Sequence, residues 1–196
     1  MSKVSRRTAL KALGTTAALL PALSPDGLLT FVRIQAGNAA PTLKLLSASD
    51  FQTLEVLVES IIPTDERSPG AREARVADYI DLLLSESDDE LALQWMGGLA
   101  ALNQEAALRF RLPFVRLDAR QVDAILADIS KNELNPGTPL ERFFVMTKQA
   151  TIRGYYSSQI GIHRELRYKG NQFLQEFVGC ATEDGKDCPD CGQKSV

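Results

Sequence analysis

Apolar residues recur every three or four positions through most of the chain between residues 49 and 153. This spacing places them on one face of an α-helix, and it restricts the possible folds more than any other feature. No segment alternates apolar and polar residues as a half-buried strand does, and there is no fixed-period repeat. The sequence therefore predicts one all-α domain of five or six helices. The predicted helices cover residues 49–62, 71–84, 88–110, 118–130 and 138–153.

Several predicted helices begin with a capping box, in which a Ser, Thr or Asp is followed three positions later by Glu or Gln. The pairs are Ser49 with Gln52, Ser87 with Glu90, Asp118 with Gln121, and Thr138 with Glu141. In the second helix we expect Asp78 and Asp81 to face solvent. Gly97 and Gly98 interrupt the long third helix, where we expect another backbone to pack closely.

The charge of the chain changes after its first 40 residues. The 196 residues carry a formal net charge of −3, with 22 basic and 25 acidic side chains. Residues 1–40 contain five of the basic side chains and one acidic side chain, so the remainder has 17 basic and 24 acidic residues and a net charge of −7. This acidic balance argues against a nucleic-acid partner, because phosphates require clustered Lys and Arg.

The N-terminus has the pattern of a bacterial export signal. Its basic start is followed by a short apolar run from Ala12 to Leu23 and by small residues from Ala36 to Ala40. The apolar run is too short for a stable membrane span. The paired arginines followed by Leu-Lys resemble the twin-arginine motif that directs folded proteins to export; these residues are Arg6, Arg7, Leu10 and Lys11.

Two alternatives stay open for this N-terminal region. The residues also suit a basic amphipathic helix. If they are an export signal, it is either cleaved, with Ala39 and Ala40 as plausible sites, or retained as an anchor. We assign residues 1–40 to the signal and linker, 41–180 to the helical domain and 181–196 to a polar tail with cysteines.

The stretch Gly154–Gly170 lacks a helical apolar stripe and contains three of the four tyrosines. Tyrosine is enriched at protein interfaces, and glycine permits close backbone approach. We therefore predict an irregular, partner-facing segment here. Its candidate interface residues are Tyr155, Tyr156, Gly161, Tyr168 and Gly170.

Residues for catalysis are scarce. His163 is the only histidine, and charged residues rather than a nucleophile surround it, so we predict no catalytic residue in this chain. The sequence has no glycine-rich phosphate loop, no HExxH and no CxxCH, and we predict no cofactor or metal. The loop from Pro63 to Ala71 contains acids, but we expect a solvated turn rather than a cation site.

The three cysteines, Cys180, Cys188 and Cys191, all lie near the C-terminus, and the last two form a CxxC pattern. A lone CxxC is compatible with a disulfide, with free thiols or with part of a metal site. A periplasmic thiol or metal-binding protein that uses these cysteines is therefore an alternative function. An internal disulfide would leave one cysteine available for a partner chain.

Several short segments together resemble the gluconate 2-dehydrogenase subunit 3 family. They are the arginine motif, Ile61-Ile62-Pro63, the Pro69-Gly70-Ala71 turn, the helix from Val76 to Asp81, Gly154-Tyr155-Tyr156-Ser157, Tyr168-Lys169-Gly170 and Phe177-Val178-Gly179-Cys180. The resemblance covers roughly residues 1–180.

The resemblance implies a small subunit without catalytic residues. In such complexes a large partner of the glucose-methanol-choline type holds FAD and oxidises the sugar, and often a cytochrome c subunit accepts the electrons. The small subunit assists maturation of the large one and carries it through the twin-arginine machinery. A periplasmic location follows, with membrane association through the partners. Cys180 would then be the first candidate for a disulfide to the large subunit.

Overall fold

The computed structural model describes residues 22–37, 42–168 and 170. These residues form six α-helices with no strand, which confirms the all-α prediction. The helices are α1 (Pro25–Gln35), α2 (Ala48–Ile61), α3 (Val76–Ser85), α4 (Asp89–Phe110), α5 (Ala119–Ile129) and α6 (Pro139–Tyr156). A 3₁₀-helix over Phe114–Arg116 precedes α5, and a π-helix over Ile160–Glu165 follows α6.

Helix α3 lies at the centre of the domain. Nine of its ten residues are buried, because α1, α2, α4 and α6 pack around it. A helix that is apolar around most of its circumference is stable only when other elements surround it. The ring of Tyr79 meets the ring of Phe31 edge-on, with 5.2 Å between centroids. Helix α5 packs against α4 and α6 on the outside of this core.

The prediction that Asp78 and Asp81 face solvent is wrong. Asp81 is 3% exposed, and its carboxylate accepts hydrogen bonds of 2.6–3.1 Å from the backbone N–H groups of residues 44–46. Asp78 is also buried and pairs with the guanidinium of Arg75 through two hydrogen bonds. A carboxylate can be buried when its oxygens are bonded in this way. Asp81 thereby fixes the segment before α2 onto α3.

Two of the predicted capping boxes are present. Asp118 accepts a hydrogen bond from the backbone of Gln121, and the Gln121 side chain accepts one from the backbone of Asp118. Thr138 and Glu141 form the same reciprocal pair at the start of α6. Each box satisfies backbone N–H groups that have no partner within the helix.

The other two predicted caps are displaced. Helix α2 begins at Ala48, and its cap is Ser47 rather than Ser49. Helix α4 begins at Asp89, and its cap is Asp88 rather than Ser87. In both cases the capping oxygen accepts the N–H three residues further on. The sequence offers several side chains that can cap at each site, and the position of the helix decides among them.

The expected close backbone at Gly97 and Gly98 is absent. Gly98 instead faces the ring of Phe143, and a Cβ atom there would overlap with that ring. Gly97 has no atom near its would-be Cβ and faces open space. The glycine at position 98 therefore lets α4 approach the side chains of α6.

Helix α1 lies within residues 1–40, which the sequence assigns to the export signal and linker, so that assignment is wrong for Pro25–Gln35. Helix α1 packs against α3, and Phe31 is 1% exposed. No helix in the described part of the chain is long and apolar enough to cross a membrane.

Candidate partner-binding surface

Helix α6 continues past Gly154 to Tyr156, so the stretch Gly154–Gly170 begins inside a helix. The prediction of an irregular segment is thus wrong for its first residues. Gly154 is buried, and a Cβ atom there would lie 2.8 Å from the Tyr79 ring. The missing side chain allows α6 to pack closely against α3. The π-helix Ile160–Glu165 then occupies the middle of the stretch.

Tyr155 is part of the core of this chain. It is 2% exposed, and its hydroxyl donates a hydrogen bond of 2.8 Å to the carbonyl oxygen of Pro69. The same hydroxyl lies 2.7 Å from the buried Oγ of Ser68. Burial raises the pKa of Tyr155 above its ordinary value. The predicted contact of Tyr155 with another protein does not fit this position, because its side chain instead joins α6 to the loop before α3.

Gly161 is also buried within the chain. Its N–H donates a hydrogen bond of 2.9 Å to Ser158 Oγ, and Ser158 is fully buried. A Cβ atom at position 161 would overlap with the carbonyl oxygen of Tyr155. Glycine is needed here for close packing of the π-helix on α6, rather than for direct contact with a partner.

The acidic loop between α2 and α3 is a hydrogen-bonded turn. Asp65 Oδ1 accepts hydrogen bonds from the backbone N–H groups of Arg67 and Ser68, at 2.7 and 2.8 Å. These bonds lower the pKa of Asp65 below its ordinary value. No cluster of three potential metal ligands occurs among the described residues. The carboxylate of Asp65 thus closes the turn.

Four large side chains remain exposed at the end of α6 and after the π-helix. Tyr156 is 41% and Tyr168 is 49% exposed, and Ile152 and Leu166 are exposed as well. We call these four residues the C-terminal apolar residues. The ring of Tyr156 rests edge-on against that of Tyr155, with 5.3 Å between centroids. Gly170 is exposed in a left-handed conformation, with φ of 94°.

Positive charge accompanies the C-terminal apolar residues. Residues 153–168 contain three arginine side chains and one acidic side chain, whereas the whole chain is acidic. Arg164 and Arg167 are exposed, and so is His163. Aromatic and arginine side chains are the types enriched at protein interfaces. This combination suits contact with an acidic protein surface that has apolar recesses.

A groove of about 570 Å³ between α4 and α6 provides a second concave region. Gly97, Phe143 and Met146 contribute to its lining, and Arg142 is its one charged lining residue. General acid–base chemistry requires a titratable group whose pKa lies near the working pH. The lining of this groove supplies no such group.

The export residues Arg6, Arg7, Leu10 and Lys11 lie outside the described residues, as do Cys180, Cys188 and Cys191. Residues that the sequence did not single out do have structural roles. Glu86 binds the start of α1, and Ser68 contacts Tyr155; both contacts join positions far apart in the chain, and no local motif signals them.

The helices and the exposed residues at the end of α6 define a helical domain with a candidate surface for another protein. Residues 48–173 match the family model of gluconate 2-dehydrogenase subunit 3, and this match covers more than half of the chain. The chain therefore belongs to that family, as its resemblance predicts. It is a subunit of a multi-subunit dehydrogenase complex. Comparison with curated proteins and with solved structures found no match.

Proposed function

We propose that this chain is the non-catalytic small subunit of a sugar dehydrogenase complex. It assists the maturation of a large FAD-dependent subunit of the glucose-methanol-choline type, accompanies it through the twin-arginine machinery and stays bound to it. FAD and the reacting sugar belong to the large subunit, and a cytochrome c subunit accepts the electrons in complexes that contain one. The assembled complex is periplasmic and contacts the cytoplasmic membrane through its partners.

The exposure of the C-terminal apolar residues is the observation that most supports binding to a large partner. Tyr156 and Tyr168 each present roughly half of their surface to solvent, although the same segment buries Tyr155 completely. Both exposed tyrosines lie within the residues that match the family. Large aromatic side chains that pack into a partner's pockets contribute much of the affinity of protein interfaces.

The charge of this region indicates the chemistry of the partner surface. Arg164 and Arg167 extend from an acidic chain whose other exposed faces carry many carboxylates. Complementary charge orients two proteins during association and disfavours wrong partners. We therefore expect the large subunit to present acidic residues around the pockets that receive Tyr156 and Tyr168.

Co-expression of this chain with a large FAD-dependent dehydrogenase of the proposed type tests the proposal. We expect the two chains to co-purify as a complex that shows the absorption spectrum of a bound flavin. We also expect them to reach the periplasm together. The double substitution Arg6→Lys with Arg7→Lys should keep both chains in the cytoplasm. The control is Arg72→Lys with Arg116→Lys, which changes two exposed arginines outside the export motif. Export of the flavoprotein with the Arg6/Arg7 variant would contradict the carrier role.

A further inference from the structure

Helix α1 is attached to the domain through a buried apolar face. Phe31 is 1% exposed against Tyr79, and Leu23 and Ile34 are buried beside it. Burial of such side chains contributes about 1.5–3 kcal/mol each to the stability of a fold. The outer face of the same helix is exposed at Leu29. α1 is therefore a packed helix of the domain and not a linker.

The start of α1 is held by a carboxylate from the end of α3. Glu86 accepts hydrogen bonds from the N–H and the hydroxyl of Ser24, at 2.8 and 3.0 Å. The Ser24 hydroxyl oxygen in turn accepts the N–H of Gly27, which caps the helix. A Cβ atom at Gly27 would overlap with the Glu86 carboxylate. Ser24 and Gly27 at the start of α1 thus fit against Glu86 of the folded domain.

The end of α1 contacts two further segments through one side chain. Gln35 Nε2 donates a hydrogen bond of 3.1 Å to the carbonyl oxygen of Ala74, in the turn before α3. Gln35 Oε1 accepts a hydrogen bond of 3.2 Å from the N–H of Gln159, between α6 and the π-helix. α1 thereby supports the segment that leads to Leu166 and Tyr168.

We propose that α1 is a permanent part of the mature subunit, so that removal of the export signal leaves the chain intact from Leu23 onward. Cleavage after Ala39 or Ala40, two sites that the sequence permits, would separate α1 from the domain. The Tyr79 ring would lose its neighbour Phe31, and Gln159 would lose its acceptor. The family model matches residues 48–173, so helix α1 lies outside the matched part of the chain. The inference rests on the proposed export of the chain.

The first test is the intact mass and N-terminal sequence of the chain purified from the periplasm in complex with its large subunit. We expect a chain that contains residues 23–35, either with the whole export signal or with a new N-terminus before Leu23. An N-terminus at Ala40 or Pro41 would overturn the inference and would leave the proposed carrier function intact.

The second test compares two substitutions on α1 in the purified full chain. Phe31→Ala should raise the ratio of unfolded to folded chain roughly a hundredfold or more, because it empties a buried site. Leu29→Ala is the matched control on the exposed face and should leave the urea midpoint unchanged. Equal midpoints for the two variants would overturn the inference. If the chain is not exported, the proposed function fails, and this comparison on cytoplasmic chain still decides whether α1 belongs to the domain.

Discussion

Tyr155 and Tyr156 are neighbours in sequence and lie on the same turn of α6, yet their environments are opposite. Tyr155 is 2% exposed and hydrogen-bonded to the loop before α3. Tyr156 is 41% exposed. One step along a helix rotates the side chain by about 100°. Residue type alone does not separate a core tyrosine from a surface tyrosine. The direction of each side chain on helix α6 buries Tyr155 and leaves Tyr156 partly exposed.

The largest expected difference between the two tyrosines is in stability. Tyr155→Ala should lower the free energy of unfolding by about 3–5 kcal/mol, because it empties a buried aromatic site and removes the partner of Ser68. Tyr156→Ala should change it by less than about 1 kcal/mol, since the side chain is already partly in water. Urea unfolding of the two variants, followed by circular dichroism, provides the comparison. Similar losses in both variants would mean that Tyr156 also supports the fold.

A loss of folding stability of intermediate size is expected at alkaline pH. Burial raises the pKa of Tyr155 and of Tyr79 in the folded chain. The unfolded chain therefore releases these protons first, at a pH of about 10, and stability falls as the pH rises from there through the folded-state pKa. Tyr155→Phe removes one of the two groups and should weaken this alkaline loss. The measurement is the free energy of unfolding between neutral and alkaline pH, and an unchanged pH dependence in the variant would contradict the assignment.

The exposed tyrosines Tyr156 and Tyr168 should contribute least to stability and most to binding of the large subunit. Tyr156→Ala with Tyr168→Ala should leave unfolding nearly unchanged and weaken binding of the large subunit by about tenfold or more. Leu93→Ala with Leu108→Ala is a matched control, since both residues are exposed on α4. Titration of the large subunit by isothermal calorimetry compares the two variants. Equal affinities would place the interface elsewhere on the domain.

Local interactions made much of the helical fold predictable. The boxes at Asp118 and Thr138 depend on side chains only three residues apart, and the sequence displays both members. The core positions of α4 follow from the three- and four-residue spacing of Trp95, Leu99 and Leu102, all of which are buried. Such features need no knowledge of the rest of the molecule.

Long-range contacts explain the failures. Asp81 looked like a solvent-facing residue, but it binds N–H groups 35 to 37 positions away. Tyr155 looked like an interface residue, but its hydroxyl binds Pro69, 86 positions away. Helix α1 is hard to recognise because its apolar residues follow shortly after the apolar run from Ala12 to Leu23, which has the pattern of an export signal. In each case the local sequence is compatible with two environments. Contacts between distant parts of the folded domain determine which environment is observed.

The hydrogen bond between Gln35 and Gln159 spans 124 positions, and this separation has a consequence for synthesis on the ribosome. At ordinary elongation rates, Gln159 is added about 6–25 s after Gln35. In the proposed carrier role, the export signal emerges from the ribosome during that interval, while helix α1 still lacks several of its final neighbours. The proposed signal would thus be available to the cell before the domain can close. Any mechanism that delays recognition of the signal until folding is complete must act within those seconds.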